Sequence, residues 1–349
     1  MKTRAAKEIV RALEDEGVRY AFGIPGTHNI ELYDVLAAAD GIQPVLVTCE
    51  VAGAFVAEGF SRSSDQVGVI NVVPGAGVAY SLAGIAEAWM DNTAMVIIAA
   101  GIRSDTDAAY QLHAVDQLAM LRPVTKEAVR VDRAEDLYPT IRTAFQIARR
   151  GTPGPVAVEI PAQLFLFRHE IGETRFEPAP ELDNAPEPSL VEACAAMLAS
   201  ADKPAIYLGK GAWCAADLLV PLAEQLGTPI TTSFAGKGVF PESHPLWLWN
   251  GFGRQAPKFV DRIMSGCDCL LAIGCRFGEV TTASYGFNPP ENLIHVDIDA
   301  DVFNRNYPAK LAIRSDSRLF VEALARLIDG QRPWESLAGD IAKGHAEVL

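Results

Sequence analysis

No run of apolar residues in this chain approaches the roughly 18 to 20 needed to cross a bilayer as a helix, although 49% of its residues are hydrophobic. No secretory or transit leader is expected at this start, because MKTRAAKEIVRALEDEG reads as an amphipathic helix with acidic residues rather than an apolar core behind a basic start. Basic charge is scarce: 30 Lys and Arg stand against 44 Asp and Glu, a net charge of −14. That balance excludes a surface built to neutralise nucleic-acid phosphates. Cysteine is sparse and unpatterned, with six at positions 49, 194, 214, 267, 269 and 275 in mostly apolar or small-residue stretches, as expected of reduced core residues. Cys267 and Cys269 make one C-x-C with no second ligand pair nearby, too little for zinc. Low-complexity tracts and internal repeats are absent as well. These absences imply a cytoplasmic protein with no membrane or nucleic-acid partner and no metal site of its own.

What is present suits two domains of about 150 residues each. In the first part, strand and helix signals alternate as a parallel α/β sheet requires. A helix is expected from about Thr3 to Glu16, ending at Gly17, then a strand over Tyr20–Ile24 and a helix over Ile30–Ala39 capped by Asn29. Further strands are expected near 44–48, 67–72, 95–100 and 155–160. Residues 168–188 contain ETRFEPAPELDNAPEPS, rich in proline and acid and without an apolar period, and read as a semi-rigid linker. A second α/β unit over 189–330 follows, with helices near 189–200, 215–226, 256–265 and 317–328. Its strands are expected at Ala205–Leu208, Ile230–Thr232, Cys269–Ile273 and Leu293–Ile298, and residues 331–349 look like a helical tail. The fold class is therefore α/β, two doubly wound parallel sheets, over 1–167 and 189–330.

The first domain is organised around QPVLVTCEVAGAFVAEGFSR, residues 43–62, where an apolar strand runs into a helix with Glu50 at the junction. Open α/β sheets place ligands at such strand ends. Ala52, Phe55, Val56 and Phe60 recur at helical spacing, and apolar neighbours would desolvate an inward-facing carboxyl and raise its pKa. The plainer alternative is a solvated carboxylate in a first helical turn, favoured by the macrodipole. Two glycine-rich strand-to-helix loops flank this junction: GIPGTHN, Gly23 to Asn29, and NVVPGAG, Asn71 to Gly77. Glycines there let backbone approach a ligand closely, or simply make tight turns.

In order and spacing these loops, the helix led by Glu50, LRPVTKEAVRV (Leu121 to Val131) and PGPVAVEIPA (Pro153 to Ala162) resemble the pyrimidine-binding domain of thiamine-diphosphate enzymes of the acetolactate synthase type. Lys203 to Leu327 is similar to the middle, Rossmann-like domain of that family. The resemblance implies a bond made or broken next to a carbonyl, on 2-oxo acids, acyloins or related hydroxyketones. It gives Glu50 the task of hydrogen-bonding the aminopyrimidine, and makes Gly23, Pro25, Gly26, Pro74, Gly75 and Gly77 the walls of the pyrimidine pocket. Benzaldehyde lyase, a relative, carries a proton-transferring histidine at the place of His28, whose alternative role is to hydrogen-bond its own loop. In AYQLHAVDQLAMLRPVTK the family places a substrate-facing polar residue, which aligns with His113 without a gap and with Gln111 if the loop shifts.

In the second domain LGKGAW offers only G-x-G at Gly209 and Gly211, a weak dinucleotide signal. Thr231, Asp297 and Asp299 lie where family members contact a flavin or nucleotide, so the resemblance leaves FAD, ADP or no ligand open. WLWNGFG and GEVTTASYGF depart from the flavin-binding pattern. The family's third domain, which holds the diphosphate through Mg²⁺ with GDG and a later asparagine pair, has no counterpart here. The expectation is a split enzyme whose second subunit supplies that domain, with self-association into a dimer or larger assembly; a chain cut before the third domain is the alternative. A non-catalytic nucleotide-binding or regulatory protein on the same scaffold competes with the enzyme reading. An NAD-linked dehydrogenase would rest on G-x-G alone.

Overall fold

Val69, Ile70, Val72 and the run from Met95 to Gly101 are buried on both sides, as parallel strands covered by helices on two faces must be. The computed structural model describes residues 2–348, and its contacts divide the chain into units of Met1–Leu182 and Asp183–Leu349. In the first unit β1 (Lys2–Arg4) and α1 (Ala6–Asp15) are followed by β2 (Tyr20–Gly23), α2 (Ile30–Leu36), β3 (Gln43–Leu46), α3 (Glu50–Ser63), β4 (Gly68–Val72), α4 (Ala76–Met90) and β5 (Met95–Gly101). Then come α5 (Gln117–Leu121), β6 (Glu127–Arg130), α6 (Leu137–Arg149), β7 (Pro155–Pro161), α7 (Ala162–Leu166) and β8 (Arg168–Glu170). Six strands form a parallel sheet in the order β3-β2-β4-β5-β7-β6. The first residues differ from expectation: the helix begins at Ala6, because Lys2–Arg4 pairs antiparallel with β8. Residues 171–187 hold no helix or strand. Their first part lies on the unit, with Arg11 Nη2 donating to the Thr174 carbonyl at 3.4 Å and Gln146 Nε2 to the Ala179 carbonyl at 2.8 Å.

The second unit runs α8 (Pro188–Ser200), β9 (Pro204–Leu208), α9 (Ala216–Leu226), β10 (Ile230–Thr232), β11 (Trp247–Asn250), α10 (Lys258–Met264), β12 (Cys269–Ile273), β13 (Asn292–Asp297), β14 (Leu311–Arg314), α11 (Ser317–Ala325) and α12 (Glu335–Ala346). Its parallel sheet has the order β11-β10-β9-β12-β13-β14. The C-terminal helix α12 is not a loose tail: Ile341 and Gly344 are buried, and a Cβ on Gly344 would meet the Phe259 ring of α10 at 2.2 Å. No helix among the described residues is long and apolar enough to cross a membrane.

The packing of α3 on α4 positions the candidate site. Helix α3 turns its small face inward, burying Gly53, Ala54, Ala57 and Glu58. Phe55 and Val56, expected to be part of the apolar face, are 44% and 43% exposed. The reason is distance: a Cβ on Gly84 of α4 would stand 2.6 Å from Ala54 Cβ and 2.7 Å from Phe55 N, so the helices approach where they carry least side chain. Phe60 does pack inward, edge-on to Tyr20 and Phe22 at 5.6 and 5.8 Å between ring centroids. Gly84→Val should therefore destabilise the chain by about 3 kcal/mol through overpacking. Urea unfolding checks this, and a change within about 0.5 kcal/mol, the usual range for surface substitutions, would refute the close packing.

Candidate functional site

The strand order of the first sheet reverses between β2 and β4, since β3 lies on the far side of β2. Ligands bind outside the carboxyl ends of strands at such a switch point. There Gly23 and Asn71 are aligned as neighbours on β2 and β4. A Cβ on Gly23 would fall 2.2 Å from the Asn71 carbonyl oxygen and 2.5 Å from the Tyr33 hydroxyl, so no other residue fits. Asn29 stitches the loop after β2: its Oδ1 accepts from Gly26 N–H at 2.7 Å and its Nδ2 donates to the Ile24 carbonyl at 3.4 Å. That corrects its expected role, because it makes no side-chain cap on α2, which ends at Leu36 rather than Ala39.

Glu50 opens α3 directly after this edge and is half-buried. Phe55 and Val56 do not desolvate it within this chain, as the sequence had suggested, because they face outward. Its carboxylate instead reaches the first turn of α4: a Cβ on Gly77 would stand 3.3 Å from Glu50 Oε1. The Tyr33 hydroxyl is held well above the usual phenol range, first by burial and also by the charge of Glu50, with the Asn71 amide opposing. The Tyr33 hydroxyl and the Asn71 amide are buried beside each other at this edge. A carboxylate beside backbone free of side chains leaves room for a planar, nitrogen-bearing ligand.

Gly75 takes φ +64° at the N-cap of α4, which favours glycine. Its N–H donates to Gln117 Oε1 at 3.1 Å, and Gln117 Nε2 donates to the Ala100 carbonyl at 2.9 Å. The backbone of His113, itself at φ +66°, lies against Gly75, whose added Cβ would meet the His113 carbonyl oxygen at 2.9 Å. The His113 ring stands edge-on to His28, 5.7 Å between centroids. Burial, and secondly the charge of His113, lowers the His28 pKa, which keeps this imidazole neutral near pH 7. Gln111 points elsewhere, donating to the Arg103 carbonyl at 3.0 Å. Of the residues singled out by sequence, Gly23, Gly26, His28, Glu50, Pro74, Gly75, Gly77 and His113 thus belong to converging loops. Tyr33, Asn71 and Gln117 were missed; the one signal was a polar Asn71 inside the apolar run GVINV.

In the second unit the order reverses between β9 and β12, and there the loops close on each other. The N–H groups of Gly209 and Gly211 donate to the Ile273 and Gly274 carbonyls at 2.9 and 3.0 Å, and that of Ala212 to Gly209 at 3.1 Å. A Cβ on Gly209 would sit 1.9 Å from the Gly274 oxygen. Close packing therefore explains these glycines, and the Gly209, Gly211 and Ala212 N–H groups are engaged by protein carbonyls, which weakens the G-x-G signal and with it the dehydrogenase reading. Thr231 is buried in β10. Asp297 accepts from Asp299 N–H at 3.0 Å and Asp299 from Asp301 N–H at 2.9 Å. Burial pushes the Asp297 carboxyl up to about 6, against the pull of its bond from Asp299. All six cysteines are free, and no metal-holding group of His, Cys, Asp or Glu occurs among the described residues.

Two family models fit this arrangement: the N-terminal TPP binding domain of thiamine pyrophosphate enzymes matches residues 3–120, and their central domain matches 191–324. The chain belongs to the thiamine pyrophosphate enzymes and holds these two domains. It is 32% identical to the acetolactate synthase large subunit of Haemophilus influenzae over 336 residues, 94% of this chain and 58% of the relative. It is also 32% identical to a probable acetolactate synthase large subunit of Methanocaldococcus jannaschii, covering 93% of this chain and 56% of the relative. Isozyme 3 of the Escherichia coli large subunit is 28% identical over 95% of this chain and 59% of its own length. The chain thus spans less than three fifths of each of these relatives.

The Asp297 shift has a sign. A carboxyl whose pKa is raised by folding binds its proton more tightly in the native state, so stability falls as pH rises from about 4 to about 6 and stays lower above that. Asp297→Asn keeps an oxygen for Asp299 N–H and removes the buried charge. It should stabilise the chain by on the order of 2 kcal/mol at pH 7.5 and by almost nothing at pH 4. Denaturant melts at the two pH values check this, and an equal effect at both would contradict it.

Proposed function

We propose that the first unit holds the aminopyrimidine end of thiamine diphosphate and that the complete enzyme makes or breaks a carbon-carbon bond next to a carbonyl. The substrates would be 2-oxo acids, acyloins or related hydroxyketones. The observation that carries this reading is the approach of the Glu50 carboxylate to the side-chain-free turn at Gly77. Relatives named acetolactate synthase large subunits support it further. When bound, thiamine diphosphate supplies the carbon nucleophile that such reactions need. Glu50 would hold and return a proton at a ring nitrogen, while Gly23, Pro25, Gly26, Pro74, Gly75 and Gly77 leave room for the ring. His28, kept neutral, would take a proton from a substrate hydroxyl or give one back, with His113 beside it.

The diphosphate and its Mg²⁺ would be held by a domain outside these 349 residues, carried by a second subunit. Self-association draws support from apolar side chains exposed on α3 and α4, among them Phe55, Val56, Tyr80 and Met90. In the second unit FAD or ADP would be held through Asp297 at the strand end rather than through Gly209 and Gly211. Six free thiols support a reducing compartment, the cytoplasm.

With the diphosphate-binding domain supplied, Glu50→Gln should slow exchange of the cofactor's C2 proton by roughly 100-fold or more, the range for a lost acid-base group. Its thermal unfolding should match the unaltered chain. Exchange at the full rate in the variant would remove the assignment.

A further inference from the structure

Gln117 is buried, and both ends of its amide are engaged at the edge of the site. One end is anchored to the Ala100 carbonyl on β5, and the other accepts from the Gly75 N–H at the turn before α4. Gly75 in turn is the surface on which the backbone of His113 rests, at distances of 2.9 to 3.3 Å from the position of an added Cβ. His113 holds a left-handed conformation at φ +66°. A non-glycine residue sustains that strain only where its surroundings fix it. The strained backbone carries a ring that stands 5.7 Å from His28, so a continuous line of contact runs from the end of β5 through Gln117 and Gly75 to the paired imidazoles.

We infer that Gln117 is a positioning residue: its amide fixes the Gly75 turn and, through it, sets the His113 ring against His28. Its bearing on proton transfer rests on the thiamine reading, whereas its action on Gly75 and the histidines does not. A buried N–H deprived of its acceptor loses its protection from solvent exchange unless the turn rearranges. The line of contact also fixes what each substitution does. Gln117→Met keeps the length of the side chain and removes both bonds. Gln117→Glu keeps the acceptor for Gly75 and gives up the donor to Ala100. Thr125→Val is the control, since it removes a buried bond of 2.9 Å to the Leu121 carbonyl in the same unit without touching Gly75.

The test is NMR on the full chain without cofactor, reading hydrogen exchange at the Gly75 amide and the titration of His28. In Gln117→Met, Gly75 should exchange at least roughly tenfold faster, the equivalent of one lost hydrogen bond, and His28 should titrate closer to an ordinary imidazole. Gln117→Glu should retain Gly75 protection, and Thr125→Val should leave both signals unchanged. Should Gln117→Met not fold, Gln117→Asn, one methylene short of Gly75, must show the same loss. Unaltered Gly75 exchange and His28 titration in the folded variant would overturn the inference. So would a control that shifts them equally. Because no cofactor is present, these outcomes stand apart from whether Glu50→Gln impairs C2 exchange.

Discussion

The contact between the Glu50 carboxylate and the turn at Gly77 is the constraint on which the first unit depends. A carboxylate at a helix start is common, and so is a glycine turn. Their juxtaposition is uncommon, because it requires the first turn of α3 to lie against the start of α4, and that is possible only while Ala54 and Gly84 remain small. The same closeness leaves Phe55 and Val56 outside, so the chain exposes apolar surface on the helix that carries its central acid. Packing, rather than the chemistry of the acid, therefore fixes which face of α3 is inward. The acid follows from that choice.

The two parallel sheets differ in strand order, and each has a switch point that is used differently. In the first, the edge between β2 and β4 carries the buried Tyr33 hydroxyl and Asn71 amide beside a carboxylate. In the second, Gly209 and Gly211 close on Gly274, and the N–H groups of Gly209, Gly211 and Ala212 are taken by the carbonyls of Ile273, Gly274 and Gly209. A fold of this kind provides the place for a ligand but not the means of holding it. The contrast shows why two glycines spaced by one residue are weak evidence. Backbone can approach a phosphate at such a turn, and it can equally approach another strand.

The parallel core strands, β4, β5, β7, β9 and β12, were legible because burial on both faces writes them as unbroken apolar runs. The strands absent from the sequence reading, β1, β6, β8, β11 and β14, all lie at sheet edges. Edges are short and carry polar residues such as Glu127, Arg130 and Arg314 that obscure the pattern. Glu50, His28 and the two glycine loops were visible through their order along the chain. Gln117 and Tyr33 were not, since each acts through a partner distant in sequence, Gly75 and Gly23, and nothing local marks a glutamine or tyrosine that will meet one. His113 and Gln111 are alternatives in the sequence, and only the fold separates them: a backbone at φ +66° brings the His113 ring beside His28, while Gln111 bonds to the Arg103 carbonyl.

A crystal structure of this chain with thiamine diphosphate and the domain that holds its diphosphate would test the central claim most directly. The account predicts the aminopyrimidine seated over the Gly75–Gly77 turn, with a ring nitrogen within ordinary hydrogen-bonding distance, about 3 Å, of a Glu50 carboxylate oxygen. A ring bound elsewhere, or one at this turn with Glu50 facing away from it, would contradict the account.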